Sequence, residues 1–108
     1  MAYRYKLTPL AMADVDEALD YIDRRLANPA AAKKLYLSLL KEVESVCSGP
    51  FSYPNCSCYL IEDNSIRHAV VGNYVLIFSV DEKDRLVKFL RFLYGRRDIN
   101  DSTIRHQS

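Results

Sequence analysis

This chain of 108 residues has little of what several protein classes depend on. It contains only three glycines and no glycine-rich loop of the kind that cradles phosphate, so we expect no small-molecule cofactor. No apolar run is long enough to cross a bilayer, and the N-terminus has no apolar segment of the signal-peptide type. We therefore expect a cytoplasmic protein without a membrane partner.

Cysteine and histidine are also scarce. The three cysteines, Cys47, Cys56 and Cys58, are an odd number, which disfavours a secreted disulfide framework. Cys56 and Cys58 lack the two-residue spacer of the usual zinc knuckle or redox pair, and no histidine cluster accompanies them. We predict reduced structural thiols and no metal site.

What is present suffices for one globular domain. Hydrophobic residues make up 49% of the chain and charged residues 27%, which is typical of folded rather than disordered sequence. We expect a single domain over residues 1–108, with a core over about residues 3–99 and a polar tail over residues 100–108. Residues 1–66 are net acidic and residues 67–108 net basic, which indicates a local anionic partner.

The first half of the chain predicts a strand followed by two helices. Apolar and basic residues alternate over residues 3–7, as in a half-buried strand. Thr8-Pro9 and Asn28-Pro29 are helix starts, each with a capping side chain before a proline. Helical apolar spacing follows both, and the short link between them predicts an antiparallel helical hairpin. Residues 50–65 are expected to form a loop that includes a possible short strand at Tyr59-Leu60-Ile61.

The second half predicts an antiparallel meander. Gly72-Asn73 is a two-residue hairpin signal between strands at residues 66–71 and 74–80, and a last strand covers residues 86–94. The expected fold class is α+β: an N-terminal strand and an antiparallel helical hairpin packed on a three- to four-stranded, mainly antiparallel sheet. One sheet face packs on the helices, while the other is either half-exposed or covered by the long loop.

The tight turn also predicts which side chains share a face. It pairs Val71 with Tyr74 and Arg67 with Phe78, and it places His68 on the opposite face from Arg67. On the last strand we expect Val87, Phe89, Arg91 and Leu93 on one face and Leu86, Lys88, Leu90, Phe92 and Tyr94 on the other. A one-residue slip in the turn at residues 81–85 would exchange these two sets.

The end of the last strand is the first candidate site. Its apolar run stops at Gly95, and Arg96 and Arg97 follow immediately. Guanidinium groups suit bidentate contact with phosphate or carboxylate, so the pair is a candidate recognition rim. A solvated strand end is the plainer interpretation of the same residues.

Two further basic residues interrupt the strands. Arg91 is either an anion contact on an uncovered sheet face or a structural residue that pairs with an acid such as Asp81 or Glu62. For His68, a half-buried, hydrogen-bonded structural role is the plainer interpretation.

The order of the elements, together with four segments, resembles the RelE/ParE superfamily of toxins from type II toxin–antitoxin systems. The matching segments are residues 28–32, residues 67–78, residues 80–82 and residues 91–98. The resemblance extends over about residues 3–99 and implies the fold of the superfamily. It also implies a cognate antitoxin protein as a partner.

The resemblance leaves two mechanisms open. RelE-like members cleave mRNA on the ribosome with a basic cluster and a tyrosine or histidine, which assist attack of a ribose hydroxyl on the adjacent phosphate. For that activity the resemblance places Arg67 and Arg97 at catalytic positions, with His68, Arg91 and Tyr94 as possible helpers. ParE-like members inhibit DNA gyrase instead.

Two departures favour the ParE-like branch. Val75 and Thr103 stand where RelE-like enzymes have an arginine and a tyrosine, whereas the Gly-Arg-Arg-Asp ending is typical of ParE-like members. We therefore predict a gyrase inhibitor whose target or antitoxin contacts are Arg91, Tyr94, Arg96 and Arg97. The alternatives are a ribosome-dependent endoribonuclease and a non-toxic member that only binds antitoxin.

Overall fold

The computed structural model describes residues 3–54 and 66–95 of the chain. In order, these form β1 (Arg4–Leu7), α1 (Pro9–Asp20), a π-helical turn (Tyr21–Arg25), α2 (Pro29–Ser48), a 3₁₀ turn (Pro50–Ser52), β2 (Ile66–Val71), β3 (Tyr74–Asp81) and β4 (Leu86–Tyr94). The strand order in the sheet is β1-β4-β3-β2, with β1 parallel to β4 and the other pairs antiparallel. The predicted α+β class is confirmed. The possible strand at residues 59–61 and the tail from residue 100 lie outside the described residues.

Both predicted helix starts are confirmed by their caps. The Thr8 hydroxyl accepts a hydrogen bond from the Ala11 amide at 3.1 Å, and the Asn28 side chain accepts one from the Ala31 amide at 3.1 Å. The first amides of a helix have no partner within the helix, so each cap satisfies one of them. Both caps precede a proline at the first helical position.

Thr8 also fixes where β1 ends. Its amide donates to the Phe89 carbonyl at 3.1 Å. Its hydroxyl lies 3.1 Å from that same oxygen and 3.3 Å from the Leu90 carbonyl. One residue therefore ends β1, caps α1 and attaches both elements to β4.

A change of helical pitch closes the helical hairpin. After Asp20 the helix widens into the π-helical turn, and Ala27 then adopts a positive φ of 49°. The Asn28 amide donates to the Ile22 carbonyl at 3.0 Å, which closes the reversal before α2 begins. Among the described residues, no helix is both long enough and apolar enough to span a membrane.

The main core lies between the helical hairpin and one face of the sheet. The apolar residues that recur at helical spacing along α2 are buried, and Val46 among them has 0% exposure. Helix α1 contributes Val15 and Ala18. On the sheet, the buried partners come from all three meander strands: Ala69, Val71, Tyr74, Leu76, Phe78, Val80, Val87, Phe89 and Phe92. The opposite face is buried along the centre of β3, where Val75 and Ile77 join Ile66. That face is therefore buried at its centre but exposed towards its edge, where Val70 is 44% exposed. Residues 55–65 of the expected loop lie outside the described residues.

The strand register is as predicted for the first hairpin but changes midway along β4. Val71 pairs with Tyr74 and Arg67 with Phe78, as the tight turn requires. On β4, Phe89 pairs with Phe78 and Arg91 with Ile77, so Leu90 is the extra residue of a β-bulge. The prediction of one uninterrupted alternation along β4 was wrong. Val87 and Phe89 face the core before the bulge, and Phe92 faces it after the bulge.

We expect replacement of Thr8 by valine to destabilise the fold by roughly 1–2 kcal/mol, because an isosteric side chain without a hydroxyl removes the helix cap. Urea unfolding of the purified protein measures this change. Thr8→Ser keeps the hydroxyl and should retain most of the stability. Equal midpoints for Thr8→Val and the parent chain would contradict the role assigned to the cap.

Candidate functional site

The predicted site residues do not form one cluster. Arg91 and Tyr94 line the same cleft, whereas Arg67 and His68 lie on β2, at the far edge of the sheet. Arg96 and Arg97 lie outside the described residues. The structure therefore divides the predicted set into a β4 group, beside α1, and a β2 group.

Arg91 forms a bidentate ion pair with Asp14 of α1. Its Nε lies 2.7 Å from Asp14 Oδ2, and a terminal nitrogen lies 3.0 Å from Oδ1. The Asp14 side chain is only 12% exposed and that of Arg91 31%, so the pair is partly shielded from water. Parallel N–H···O bonds of this kind are among the stronger side-chain contacts. The interpretation of Arg91 as a structural residue that pairs with an acid is confirmed, and the acid is Asp14 of α1. Of the two acids suggested from the sequence, Glu62 lies outside the described residues.

Asp14 also accepts a hydrogen bond from the backbone of β4. Because β1 stops at Leu7, no strand of the described residues pairs with β4 on that side beyond Phe89. The Phe92 amide donates instead to Asp14 Oδ2 at 3.0 Å. One carboxylate thus satisfies a backbone amide and a guanidinium that would otherwise lack these acceptors.

A cleft of about 570 Å³ opens between α1, the π-helical turn and the end of β4. We call it the aromatic cleft, after the side chains that share it: Tyr21, Leu26, Tyr74, Phe92 and Tyr94, together with the Asp14–Arg91 pair. Concave sites with an apolar lining and a few polar groups are typical ligand or partner sites. Tyr94 is 68% exposed and Leu26 is 55% exposed, so two large side chains at the cleft are available to a partner.

The tyrosines of the cleft are packed in a fixed arrangement. Tyr74 stacks on Phe92 with ring centroids 4.8 Å apart, and Tyr94 meets Tyr74 edge-on at 5.2 Å. Burial raises the pKa of the Tyr74 phenol, and the nearby Tyr94 and Tyr21 phenols raise it further. Tyr74 therefore stays protonated at neutral pH, so it is a hydrogen-bond donor rather than a proton acceptor.

The end of β4 is anchored beside the cleft. Gly95 has a positive φ of 82°, a conformation that side-chain-bearing residues rarely adopt. Its amide donates to the Asn73 carbonyl in the β2–β3 turn at 2.9 Å. Arg96 follows Gly95 directly in the sequence and lies outside the described residues.

Arg67 is held by neighbouring structure on the helix-facing side of β2. One terminal nitrogen donates to the Tyr53 carbonyl at 2.6 Å, and the guanidinium lies 5.0 Å from the centre of the Phe51 ring. The Tyr53 hydroxyl in turn donates to Glu42 of α2 at 2.6 Å. Burial, followed by this hydrogen bond to Glu42, raises the pKa of Tyr53. Arg67 thus connects the segment after α2 to the sheet.

His68 is on the same cross-strand row as Arg91, with Ile77 between them. Its amide donates to the Pro54 carbonyl at 3.1 Å, and its side chain is half-buried. Two strand spacings, about 10 Å in total, separate its backbone from that of Arg91. The Arg91 guanidinium, moreover, is bound to Asp14 of α1.

Cys47 is buried in the main core as a free thiol. Burial raises the pKa of this thiol, which disfavours the reactive thiolate. Cys56 and Cys58 lie outside the described residues. Over residues 3–54 and 66–95, no group of histidine, cysteine or acidic side chains is placed to hold a metal ion.

Sequence reasoning missed most of the cleft. Asp14 and Tyr21 were not singled out, and Tyr74 was considered only as the partner of Val71 across the tight turn. A carboxylate in an otherwise apolar stretch, opposite an arginine in an apolar strand, was a signal of pairing. Asp14 and Arg91 are separated by 77 positions in the sequence, so no local pattern indicated which acid would be the partner.

We expect Asp14→Ala to destabilise the protein by roughly 2–3 kcal/mol, because it leaves a half-buried guanidinium and a backbone amide without their acceptor. Unfolding in urea measures the loss, and a double-mutant cycle with Arg91→Met isolates the pair. Asp16→Ala, an exposed neighbour on α1, is the matched control and should change stability by less than about 0.5 kcal/mol. Equal effects of the two alanine variants would refute the structural role of Asp14.

Comparisons with known proteins agree with this architecture. No curated protein matches the chain closely enough in sequence to count as a relative. The fold is similar to a solved structure of the chromosomal ParDE toxin–antitoxin system from P. aeruginosa, with a TM-score of 0.68, 19% identity, and coverage of 87% of this chain and 97% of that one. It is also similar to the RelBE2 toxin–antitoxin complex from Mycobacterium tuberculosis, with a TM-score of 0.57, 17% identity, and coverage of 87% and 99%. At these identities the likeness shows the fold alone.

The family is shown by a match of the sequence to a family model. Residues 5–99 match the family described as the ParE toxin of the type II toxin–antitoxin system parDE. This match includes both helices, all of the meander and the Arg96–Arg97 pair. The chain therefore belongs to the ParE toxin family of type II toxin–antitoxin systems.

Proposed function

We propose that this toxin inhibits DNA gyrase by binding it through the aromatic cleft and the Arg96–Arg97 pair, and that a cognate antitoxin neutralises it. The observation that carries the proposal is the engagement of Arg91 by Asp14. A cation held in a bidentate pair is not available to stabilise the charge of a cleaving phosphate without losing that pair.

The positions of the remaining candidates support binding over RNA cleavage. Catalysis of phosphate transfer needs groups that converge on one reacting centre. Arg67 is bound to the Tyr53 carbonyl on the helix-facing side of β2, whereas His68 points to the opposite face. Val75, at the position of a RelE-type arginine, is 1% exposed and belongs to an apolar cluster.

The cleft has the composition of a protein-binding surface. Tyrosine and arginine are enriched among the residues that dominate protein–protein affinity. The cleft supplies exposed Tyr94, half-exposed Tyr21 and the stacked Tyr74, and the arginine pair follows Tyr94 after one glycine. Its aromatic surface offers anchors for an apolar side chain, while the arginines suit carboxylates of either gyrase or antitoxin.

The antitoxin partner is supported by the family and by the two structural neighbours, which are toxin–antitoxin systems. An antitoxin that occupied the cleft would exclude the target from the same surface. Toxin action and neutralisation would then compete for Tyr94 and the arginines. Antitoxin added before gyrase should accordingly prevent inhibition.

We expect the purified toxin to inhibit supercoiling of relaxed plasmid by gyrase, and Tyr94→Ala to raise the half-inhibitory concentration by about tenfold or more, because it removes an exposed aromatic anchor. Arg96→Gln combined with Arg97→Gln should have an equal or larger effect. Leu10→Ala, an exposed leucine on α1 that does not line the cleft, is the control and should inhibit like the parent. Undiminished supercoiling at large toxin excess would overturn the proposal.

We also expect ribosome-bound mRNA to remain intact in the presence of the toxin, as measured by primer extension on translating ribosomes. The reason is that Arg67 and Arg91 are held by other residues. Specific cutting that disappears in Arg97→Ala would establish the ribonuclease alternative. Normal growth on induction without antitoxin, with no effect in either assay, would indicate a member that only binds antitoxin.

A further inference from the structure

A cationic patch lies on the sheet far from the aromatic cleft. Lys6 of β1 pairs directly with Lys88 of β4, and Lys88 pairs with Ser79 of β3. Arg4 precedes Lys6 by two residues and therefore shares its face. We name this set of four, Arg4, Lys6, Ser79 and Lys88, the lysine patch.

The lysine patch faces away from the helices. Val87 and Phe89, the neighbours of Lys88 along β4, are both buried in the core beneath the helical hairpin. Successive side chains of a strand point to opposite faces, so Lys88 and its paired Lys6 point outward. Arg4, Lys6 and Lys88 are all exposed, and Ser79 is half-exposed.

The cations of the patch lack acidic partners within the described parts of the chain. The ion pairs found there are Arg24 with Asp20 and Arg91 with Asp14. Arg4 donates to the backbone carbonyl of Asp84 at 3.1 Å, which positions its guanidinium without neutralising it. Like charges directly opposite on neighbouring strands repel each other. The Lys6–Lys88 pair therefore opposes folding slightly and creates a local positive potential.

We propose that the lysine patch binds the phosphate backbone of nucleic acid. Adjacent strands are about 4.8 Å apart and alternate residues about 6.6 Å apart, so the patch extends over roughly 7–10 Å. On each strand, DNA presents one phosphate for about every 3.4 Å along the helix axis, so a patch aligned with that axis spans two or three phosphates. Lysine, arginine and serine side chains are ordinary phosphate contacts, and such contacts need no particular base sequence.

The surroundings of the patch favour nucleic acid over an acidic polypeptide. A protein partner usually requires a large apolar anchor at the centre of its site. The exposed large apolar side chains of the described residues lie elsewhere, on the helices, in the aromatic cleft, or at Phe51 and Val70. Tyr5 is exposed but packs against Phe89 on the opposite face from Lys6. The patch thus offers charge and a hydroxyl, which suit a polyanion.

Fluorescence anisotropy with a labelled DNA duplex of about 20 base pairs tests the proposal, at salt from about 50 to 200 mM. The 108-residue chain should bind with an affinity that falls as salt rises. Lys6→Gln combined with Lys88→Gln should weaken binding by about tenfold at the lowest salt and reduce the salt slope by roughly 2, or about 0.9 for each phosphate contact removed. Lys33→Gln combined with Lys34→Gln, which removes the same charge from exposed positions on α2, should leave binding nearly unchanged.

Two outcomes overturn the proposal. One is absence of salt-dependent binding by the parent protein, and the other is equal weakening in the α2 control. If polyglutamate displaces the duplex more effectively than unlabelled DNA at equal charge concentration, the patch is a site for an acidic polypeptide instead. Urea unfolding serves as the fold check, and removing the paired lysines should leave stability equal or slightly higher. Because the assay contains no gyrase, its result is independent of the proposed target.

Discussion

The position of α1 and of the cleft depends on what binds the backbone of β4 beyond the end of β1. A sheet edge of unpaired amides inside a domain is costly unless another group accepts them. The Asp14 carboxylate does so for Phe92, and it binds the Arg91 guanidinium at the same time. This contact holds α1 against the end of β4, and the aromatic cleft is the space left between them. The position of the cleft is therefore a consequence of a short first strand.

The β-bulge at Leu90 determines which side chains of β4 line the cleft. With one uninterrupted alternation, Phe89 and Arg91 would share a face, and Phe92 would lie on the other. The extra residue shifts the alternation, so Phe92 follows Phe89 onto the helix-facing side, where it stacks under Tyr74. Bulges commonly redirect side chains next to functional sites. The Thr8 hydrogen bonds to the carbonyls of Phe89 and Leu90 occur at this same place, so the end of β1, the start of α1 and the bulge are linked.

Local signals in the sequence predicted most of the fold, whereas the candidate site depended on contacts between distant residues. Both helix caps, the tight turn and the register of β2 with β3 follow from short-range chemistry, in which a capping side chain or a Gly-Asn pair acts on its neighbours. The bulge and the Asp14–Arg91 pair depend on where β1 stops relative to β4, which no local pattern specifies. Consequently the sequence indicated that Arg91 pairs with an acid but did not identify Asp14 as that acid. Of the residues that line the cleft, the sequence analysis named only Arg91 and Tyr94 as candidate site residues.

The cations of this chain divide into those that build the fold and those that remain available. Arg67 and Arg91 each bind a protein oxygen at 2.7 Å or less, and each fixes one element to another. Lys6 and Lys88 instead pair directly across neighbouring strands, where their like charges repel each other. In this chain the strand arginines Arg67 and Arg91 therefore serve as structural residues. Among the exposed cations of the described residues, Arg4, Lys6 and Lys88 lie together on the sheet face that points away from the helices. A group of cations spread over two strands suits contact with an extended polyanion better than chemistry on a single phosphate.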